Sequence, residues 1–404
     1  MSWPVDGALA FVCPRYGLEV LGGAETVVRE MAERIAARGL EVEILTTCAV
    51  DHYTWDNSYP AATVDVNGVT VHRFPIEKGN EARRQGIGRL IGAGKPTSLE
   101  EQESWLNEGF RSSRLYHYLW QNNERYHTIL LTPYMFWTTY ACAQIAPHKS
   151  VLRPCLHDEV FARLDIYKPI FRDARGITFN SEPEAELARG IFDLPRRWEV
   201  IGEGVDVPEG ADPQRFRAKY GIQGEFLLYS GRREWGKNVD VLVSNFGRYV
   251  NRTSKDLKLV LTGKGEVSIP SELAHHVVDL GYVPDQDARD AFAAATVVCQ
   301  PSLWESFSRL IMEGWLASKP VLAFGECAVT AHHVRTSEGG LLYHDATQFE
   351  VALGLLLDQP KLREDLARNG REYVLRNYRW DDVIDRLVEC LGTWARSDDR
   401  SAVG

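Results

Sequence analysis

The chain has no Cys-x-x-Cys pair and no cysteine–histidine cluster at zinc spacing; its seven cysteines are scattered. That excludes a zinc scaffold and a disulfide framework, and the thiols read as small buried hydrophobes in a reducing compartment. No stretch approaches the ~20 apolar residues that a membrane-spanning helix requires. A basic leader is also missing, and the short run Ala8 to Cys13 reads as a first strand rather than a signal-peptide core. Positive charge is not in excess: 46 Lys and Arg stand against 56 Asp and Glu, a net charge of −10. This argues against a nucleic-acid binder, which needs a basic face, while leaving room for a local patch that holds phosphate. Internal repeats and low-complexity tracts are absent. So are a G-x-G-x-x-G after the first strand and a G-x-S-x-G nucleophile elbow. A cytoplasmic protein is expected, with peripheral contact at a membrane surface and the oligomeric state left open.

What is present is the composition of a globular α/β protein, with 44% hydrophobic and 25% charged residues. At 404 residues the chain exceeds one ordinary core, so two domains are expected. Ala8 to Cys13, a loop through Gly17, Gly22 and Gly23, a helix from about Ala24 to Arg38 and a strand Val42 to Thr46 make a βαβ unit, which implies a parallel sheet. From Ala49 to about Tyr126 the pattern is irregular. There Val69 to Phe74 reads as an edge strand after an Asn67-Gly68 turn, and residues 81–95 as a basic amphipathic helix packed on its own domain. Strands follow at Thr128 to Thr132, at Val151 to Leu156, which leads into His157-Asp158, and at Gly176 to Asn180. A second α/β series begins near Glu225, after a Gly- and Pro-containing linker at 203–213. Two such domains leave a cleft between their sheet ends as the expected ligand site.

The chemistry concentrates in the second series. Gly231-Arg232-Arg233-Glu234-Trp235-Gly236-Lys237 follows an apolar strand and nearly spells a P-loop. Asn238 stands where the magnesium-holding hydroxyl would be. The loop therefore reads as a phosphate binder without triphosphatase chemistry: Arg232 offers a forked donor and Lys237 a point charge. The segment Gln300 to Pro320 places Glu305 and Glu313 eight residues apart across a predicted helix start, with Ser306 or Ser308 as its cap. A strand, a polar turn and a helix N-terminus suit a ligand with phosphates and hydroxyls. Asp285-Gln286-Asp287 reads as a helix cap rather than a metal site. His157, beside Asp158 and Glu159, is a candidate for a sugar hydroxyl or for proton transfer.

Taken in order, these pieces resemble the GT-B fold glycosyltransferases of family 4, also called group 1. Gly22-Gly23-Ala24-Glu25, Leu156-His157-Asp158, Phe179-Asn180-Ser181-Glu182 and Ile201 to Asp206 are similar to successive motifs of that family. So are Ser230-Gly231-Arg232 with Lys237, Leu280-Gly281-Tyr282-Val283, Pro301 to Glu313 with its E-x7-E spacing, and Lys319-Pro320-Val321. The resemblance implies two Rossmann-like domains facing across a cleft, at 1–206 plus 378–404 (acceptor side) and 207–377 (donor side), with a last helix crossing back. It implies transfer with retention of anomeric configuration, a nucleotide diphosphate sugar as donor, a carbohydrate or lipid-linked acceptor, and no metal or other cofactor. Arg232 and Lys237 would hold the diphosphate, Glu305 the donor sugar, and Glu313 the ribose. His157 would lie near the sugar being transferred. Gly22, Gly23, Gly231, Gly263, Ser306, Phe307 and Ser308 would complete the donor contacts. The chain departs from the family pattern at Glu305-Ser306-Phe307-Ser308, where EGFG is usual, at Gly325 to Val329, and at Asn238 after the lysine. A phosphorylase or nucleotide-sugar hydrolase of the same fold, or a non-catalytic nucleotide-sugar binder, remains the alternative.

Overall fold

The computed structural model describes residues 6–401, with side chains described through 396. The chain divides into two compact units, Met1–Glu203 with Asp381–Gly404, and Gly204–Trp380.

The first unit is built on an eight-stranded sheet. Its order is Trp198–Val200, Gly176–Phe179, Ser150–Leu152, Tyr126–Leu131, Ala8–Val12, Val42–Thr47, Val69–Phe74 and Thr63–Val66. All neighbours are parallel except the last pair. Parallel strands covered on both faces bury every residue, and Ala8–Val12, Val42–Thr47 and Tyr126–Leu131 are buried throughout. The helix Gly23–Ala37 lays Val27, Val28, Met31 and Ile35 on the core.

The stretch from 49 to 126 is more regular than its composition suggests. It holds the hairpin Thr63–Val66 and Val69–Phe74, a short antiparallel pair at Glu77–Lys78 and Phe110–Arg111, and the helices Glu81–Gly92, Leu99–Asn107 and Ser113–Asn122. Asn67 and Gly68 both take positive φ, as a tight hairpin turn demands. Val69–Phe74 is not the edge strand: it pairs with Val42–Thr47 on one side and with Thr63–Val66, the true edge, on the other. Residues 63–66 alternate Thr and Asp with two valines and are half exposed, so they carry no apolar run to announce them. The helix Glu81–Gly92 packs on Leu99–Asn107 through Ile87 and Ile91, as its pattern predicts. A reciprocal Ser98–Glu101 capping box starts the latter helix.

The last helix, Trp380–Ser401, buries Val383, Ile384, Leu387 and Leu391. Within the first unit Arg38 pairs with Asp385 and, at 3.3 Å, with Asp381, while Arg386 donates to the Ile201 carbonyl at 3.1 Å.

The second unit has a six-stranded, all-parallel sheet. Its order is Val277–Gly281, Lys258–Thr262, Phe226–Ser230, Val297–Gln300, Val321–Phe324 and Gly340–Tyr343. Numbered along this unit, that is 3-2-1-4-5-6, with the winding reversing between Phe226–Ser230 and Val297–Gln300. In such sheets ligands bind outside the carboxyl ends of the strands at the point of reversal. The helix Asp285–Ala294 ends just before the strand Val297–Gln300, so the apolar run that joins them is divided between the two elements. No helix among the described residues is long and apolar enough to cross a membrane.

Candidate functional site

Both chemically rich loops leave the sheet of the second unit at its reversal point. Residues 231–238 follow Phe226–Ser230, and residues 301–308 follow Val297–Gln300. They are tied together by three hydrogen bonds: Leu303 N–H donates to the Gly236 carbonyl at 2.9 Å, Asn238 Nδ2 to the Pro301 carbonyl at 3.1 Å, and Lys237 Nζ to Glu305 Oε1 at 2.7 Å. The last is also an ion pair, with the two side chains 24% and 12% exposed. Sixty-eight residues of sequence thus separate a cation and a carboxylate that touch.

Arg232 lies on the same loop, half exposed and paired with Glu234 at 3.0 Å; its carbonyl accepts from Tyr229 Oη. Arg233 instead turns inward, where it grips Asp279 through two nitrogens. Of the two adjacent arginines, only Arg232 is therefore placed to meet a ligand. Gly231 N–H donates to the Thr262 carbonyl at 3.0 Å. Gly263, at φ +114°, sits so close to Gly231 that a Cβ there would collide with that residue's carbonyl. Gly263 thus contributes by letting the neighbouring strand end press against the Arg232 loop. Asn238 takes φ +57°, a conformation asparagine tolerates better than most residues, and its side chain makes the bond to Pro301.

The helix after Glu305 starts at Arg309, with Ser308 at its N-cap position. The expected serine cap does not form there: Ser308 has φ +77° and makes no side-chain cap bond. Its Oγ instead accepts from Gln300 Nε2 at 2.7 Å. Gln300, 2% exposed, is the hub of the whole loop. Its Nε2 also reaches Glu305 Oε1 at 3.2 Å, and its Oε1 accepts from Ser302 Oγ at 2.8 Å and Ser302 N–H at 3.3 Å. This residue escaped the sequence analysis because it sits at a strand end, where no polar spacing marks it.

Ser306 is half-buried on this loop. Phe307 is buried, stacking edge-on against His333 and Tyr378, so only its backbone is left to face a ligand. Glu313 lies on the helix Arg309–Leu316, 41% exposed and 3.8 Å from Arg309. Trp235, 75% exposed, stands with its ring 5.1 Å from that of Trp304, an aromatic pair beside the site that no motif foretold. Asp287 does not cap its helix; it lies in the first turn and is bound by Lys219 and, at 2.7 Å, by Tyr220 Oη.

In the first unit, Gly22 precedes the helix and a Cβ there would strike Glu25, whereas a Cβ on Gly23 would meet open space. Glu25 is buried in an ion pair with Arg15, which anchors the loop through the Val50 carbonyl at 2.9 Å. His157 lies past the strand Ser150–Leu152, 34% exposed, with Nδ1 3.9 Å from Glu159 Oε1. Burial raises the Glu159 carboxyl, against a hydrogen bond from Tyr134.

The backbone just before His157 is held by Glu184, whose Oε1 accepts from Leu156 N–H at 2.6 Å and Oε2 from Asn180 N–H at 2.5 Å. Burial pushes Glu184 up to about 8, against the pull of both N–H groups and Arg153. A carboxyl raised on folding binds its proton more tightly in the native state, so its contribution is full at acid pH and is lost as pH rises toward 8. Denaturant titrations between about pH 5.5 and 7 should show the stability advantage of E184Q over the parent growing by about 1.4 kcal/mol per pH unit. A pH-independent difference would contradict the raised value.

Two parallel-sheet units with these loops define a GT-B glycosyltransferase fold. Residues 22–204 match the glycosyl transferase 4-like domain and residues 212–373 the glycosyl transferases group 1 model, and the chain belongs to that glycosyltransferase family. An uncharacterized glycosyltransferase of Methanocaldococcus jannaschii is 24% identical over 94% of this chain and 96% of its own length. The phosphatidyl-myo-inositol mannosyltransferase of Mycolicibacterium smegmatis is 25% identical over 95% and 93%. Among solved structures, Anabaena HepE in complex with UDP-glucose superposes with a TM-score of 0.68 at 16% identity, covering 96% of this chain and 100% of that one.

Proposed function

We propose that this glycosyltransferase transfers one sugar from a nucleotide diphosphate donor to a carbohydrate or lipid-linked acceptor with retention of configuration and without a metal. We place it in the synthesis of cell-surface polysaccharide or glycoconjugate, in the cytoplasm or at the inner face of the membrane. The observation that carries the proposal is the Lys237–Glu305 contact at the reversal point, with Arg232 on the same loop. Structural likeness to a protein solved with UDP-glucose supports the donor class. A relative named as a phosphatidyl-myo-inositol mannosyltransferase supports a lipid-linked acceptor.

The proposed chemistry uses the chain's own charges. Lysine has three donors, of which Glu305 takes one, so Lys237 can turn others to a phosphate while Glu305 accepts from a sugar hydroxyl. Arg232 would exchange Glu234 for the diphosphate. As the bond from the anomeric carbon to phosphate breaks, the acceptor oxygen bonds that carbon on the same face. The acceptor's proton passes to the departing phosphate oxygen, whose negative charge the two cations stabilise. Glu313 is assigned to the ribose, and His157 to the sugar being transferred.

A thermal-shift screen over nucleotide sugars, followed by proton NMR of the product formed from the best donor, tests the proposal. Expected are a raised melting point with one donor, an unchanged anomeric configuration, and rates unaffected by EDTA. R232A should lose at least about tenfold in transfer. An inverted product would refute retention, and a rate abolished by chelation would refute metal independence.

A further inference from the structure

The second unit carries a polar cavity at the end of its sheet opposite the Arg232 and Lys237 loops. It is lined by Glu225, Thr296 and Pro320, each directly before one of three neighbouring parallel strands, whereas the loops described above leave the carboxyl ends of the first two. Its volume is about 400 Å³, within the range of small-molecule sites.

Three basic side chains from three separate elements line it. Arg217 comes from the helix Pro213–Tyr220, Lys319 from the turn after Arg309–Leu316, and Arg363 from the helix Pro360–Asn377. The two arginines are held in place by backbone carbonyls. Arg217 donates to Gly224 at 2.6 Å and Ala294 at 2.8 Å, and Arg363 to Leu356 and Leu357, each at 2.7 Å. Arg363 also faces Glu225 at 3.7 Å. Lys319 differs: among the described residues its ammonium has no hydrogen bond and no ion pair. Burial lowers its pKa, and Arg217 and Arg363 lower it further. A half-buried amine beside two guanidinium groups is an arrangement that repels itself unless an anion joins it. The carboxylates of Glu225 and Glu364, also on the wall, leave the lining with one net positive charge and offer acceptors for hydroxyls.

We propose that this cavity binds a small phosphate ester carrying hydroxyl groups, its phosphoryl group held by Lys319 between Arg217 and Arg363 and its hydroxyls facing Glu225 and Glu364. The site is separate from the Arg232 and Lys237 loops and stands independently of the donor assignment. The arginines supply pre-organised forks, and Lys319 supplies the one uncommitted charge. An occupant here would bind the native state alone and raise its melting point.

The test uses the full chain, with inorganic phosphate and glucose 6-phosphate as probes in calorimetry and thermal shift. Glucose 6-phosphate is expected to bind more tightly than phosphate. K319M keeps the apolar stem and removes the charge. It should weaken glucose 6-phosphate at least about tenfold while leaving the nucleotide-sugar shift unchanged. Without any ligand, K319M should melt no lower than the parent, because a repelling charge has gone. K237A should leave glucose 6-phosphate binding intact. Equal affinity in K319M and parent, no binding of either probe, or binding lost in K237A instead would each overturn the proposal.

Discussion

K237A is expected to slow sugar transfer about a hundredfold, equivalent to roughly 3 kcal/mol of barrier. The physical reason is where the charge develops. In the ground state the diphosphate already carries its charge, but as the bond to the sugar breaks, one more negative charge appears on the leaving oxygen. A fixed ammonium stabilises that change more than it stabilises the bound donor, so the loss should fall mainly on kcat rather than on KM. Lys237 also neutralises Glu305, which is only 12% exposed, so part of the effect of K237A is an uncompensated carboxylate. Removing both partners separates the two effects: K237A/E305A should be less impaired than the product of the two single losses. Steady-state kinetics with the identified donor checks this. Turnover within threefold of the parent in K237A would remove the lysine from the chemistry.

The second large effect is expected at Gln300. Q300L leaves the buried hydroxyls of Ser302 and Ser308 without their partner and frees Glu305 from its second contact. Buried polar groups so abandoned cost about 1–3 kcal/mol each, so a stability loss of roughly 3 kcal/mol is expected. Donor binding should weaken with it, since the loop that carries Glu305 loses its brace. The companion change is S308G. Serine at φ +77° bears a strain of roughly 1 kcal/mol that glycine does not. In the parent, S308G relieves that strain but loses the Gln300 hydrogen bond, and the net change should be near zero. In the Q300L background only the gain remains, and S308G should restore about 1 kcal/mol. A double-mutant cycle by denaturant unfolding measures this coupling. Strict additivity would show that the glutamine does not hold the serine.

This pair also accounts for the serine at 308, where the EGFG pattern has glycine. The backbone still takes the left-handed turn that a glycine would enter freely, and a side-chain hydrogen bond from the preceding strand offsets the added strain. Asn238 is a second instance, holding a positive φ while bonding Pro301. Both residues look like losses in a motif comparison, yet each contributes a bond that glycine could not make.

Much was legible along the chain because local physics writes it there. Continuous apolar runs announced the buried parallel strands. The stripe of Val27, Val28, Met31 and Ile35 announced the first long helix, and the order of short motifs pointed to a group 1 glycosyltransferase. The loops bearing Arg232, Lys237 and Glu305 could be singled out as strand-to-helix turns by the same means. What the string of residues left open depends on separations it does not record. Lys237 meets Glu305 across 68 positions, Arg233 turns inward because Asp279 waits on another strand, and Thr63–Val66 becomes an edge only by pairing with Val69–Phe74. Gln300 owes its role to four bonds inside a loop that has no periodicity. Periodicity and composition decide which segments bury and which turn. Which distant charges touch, and which strained residue is braced by which neighbour, was decided only when the sheet set its strand order.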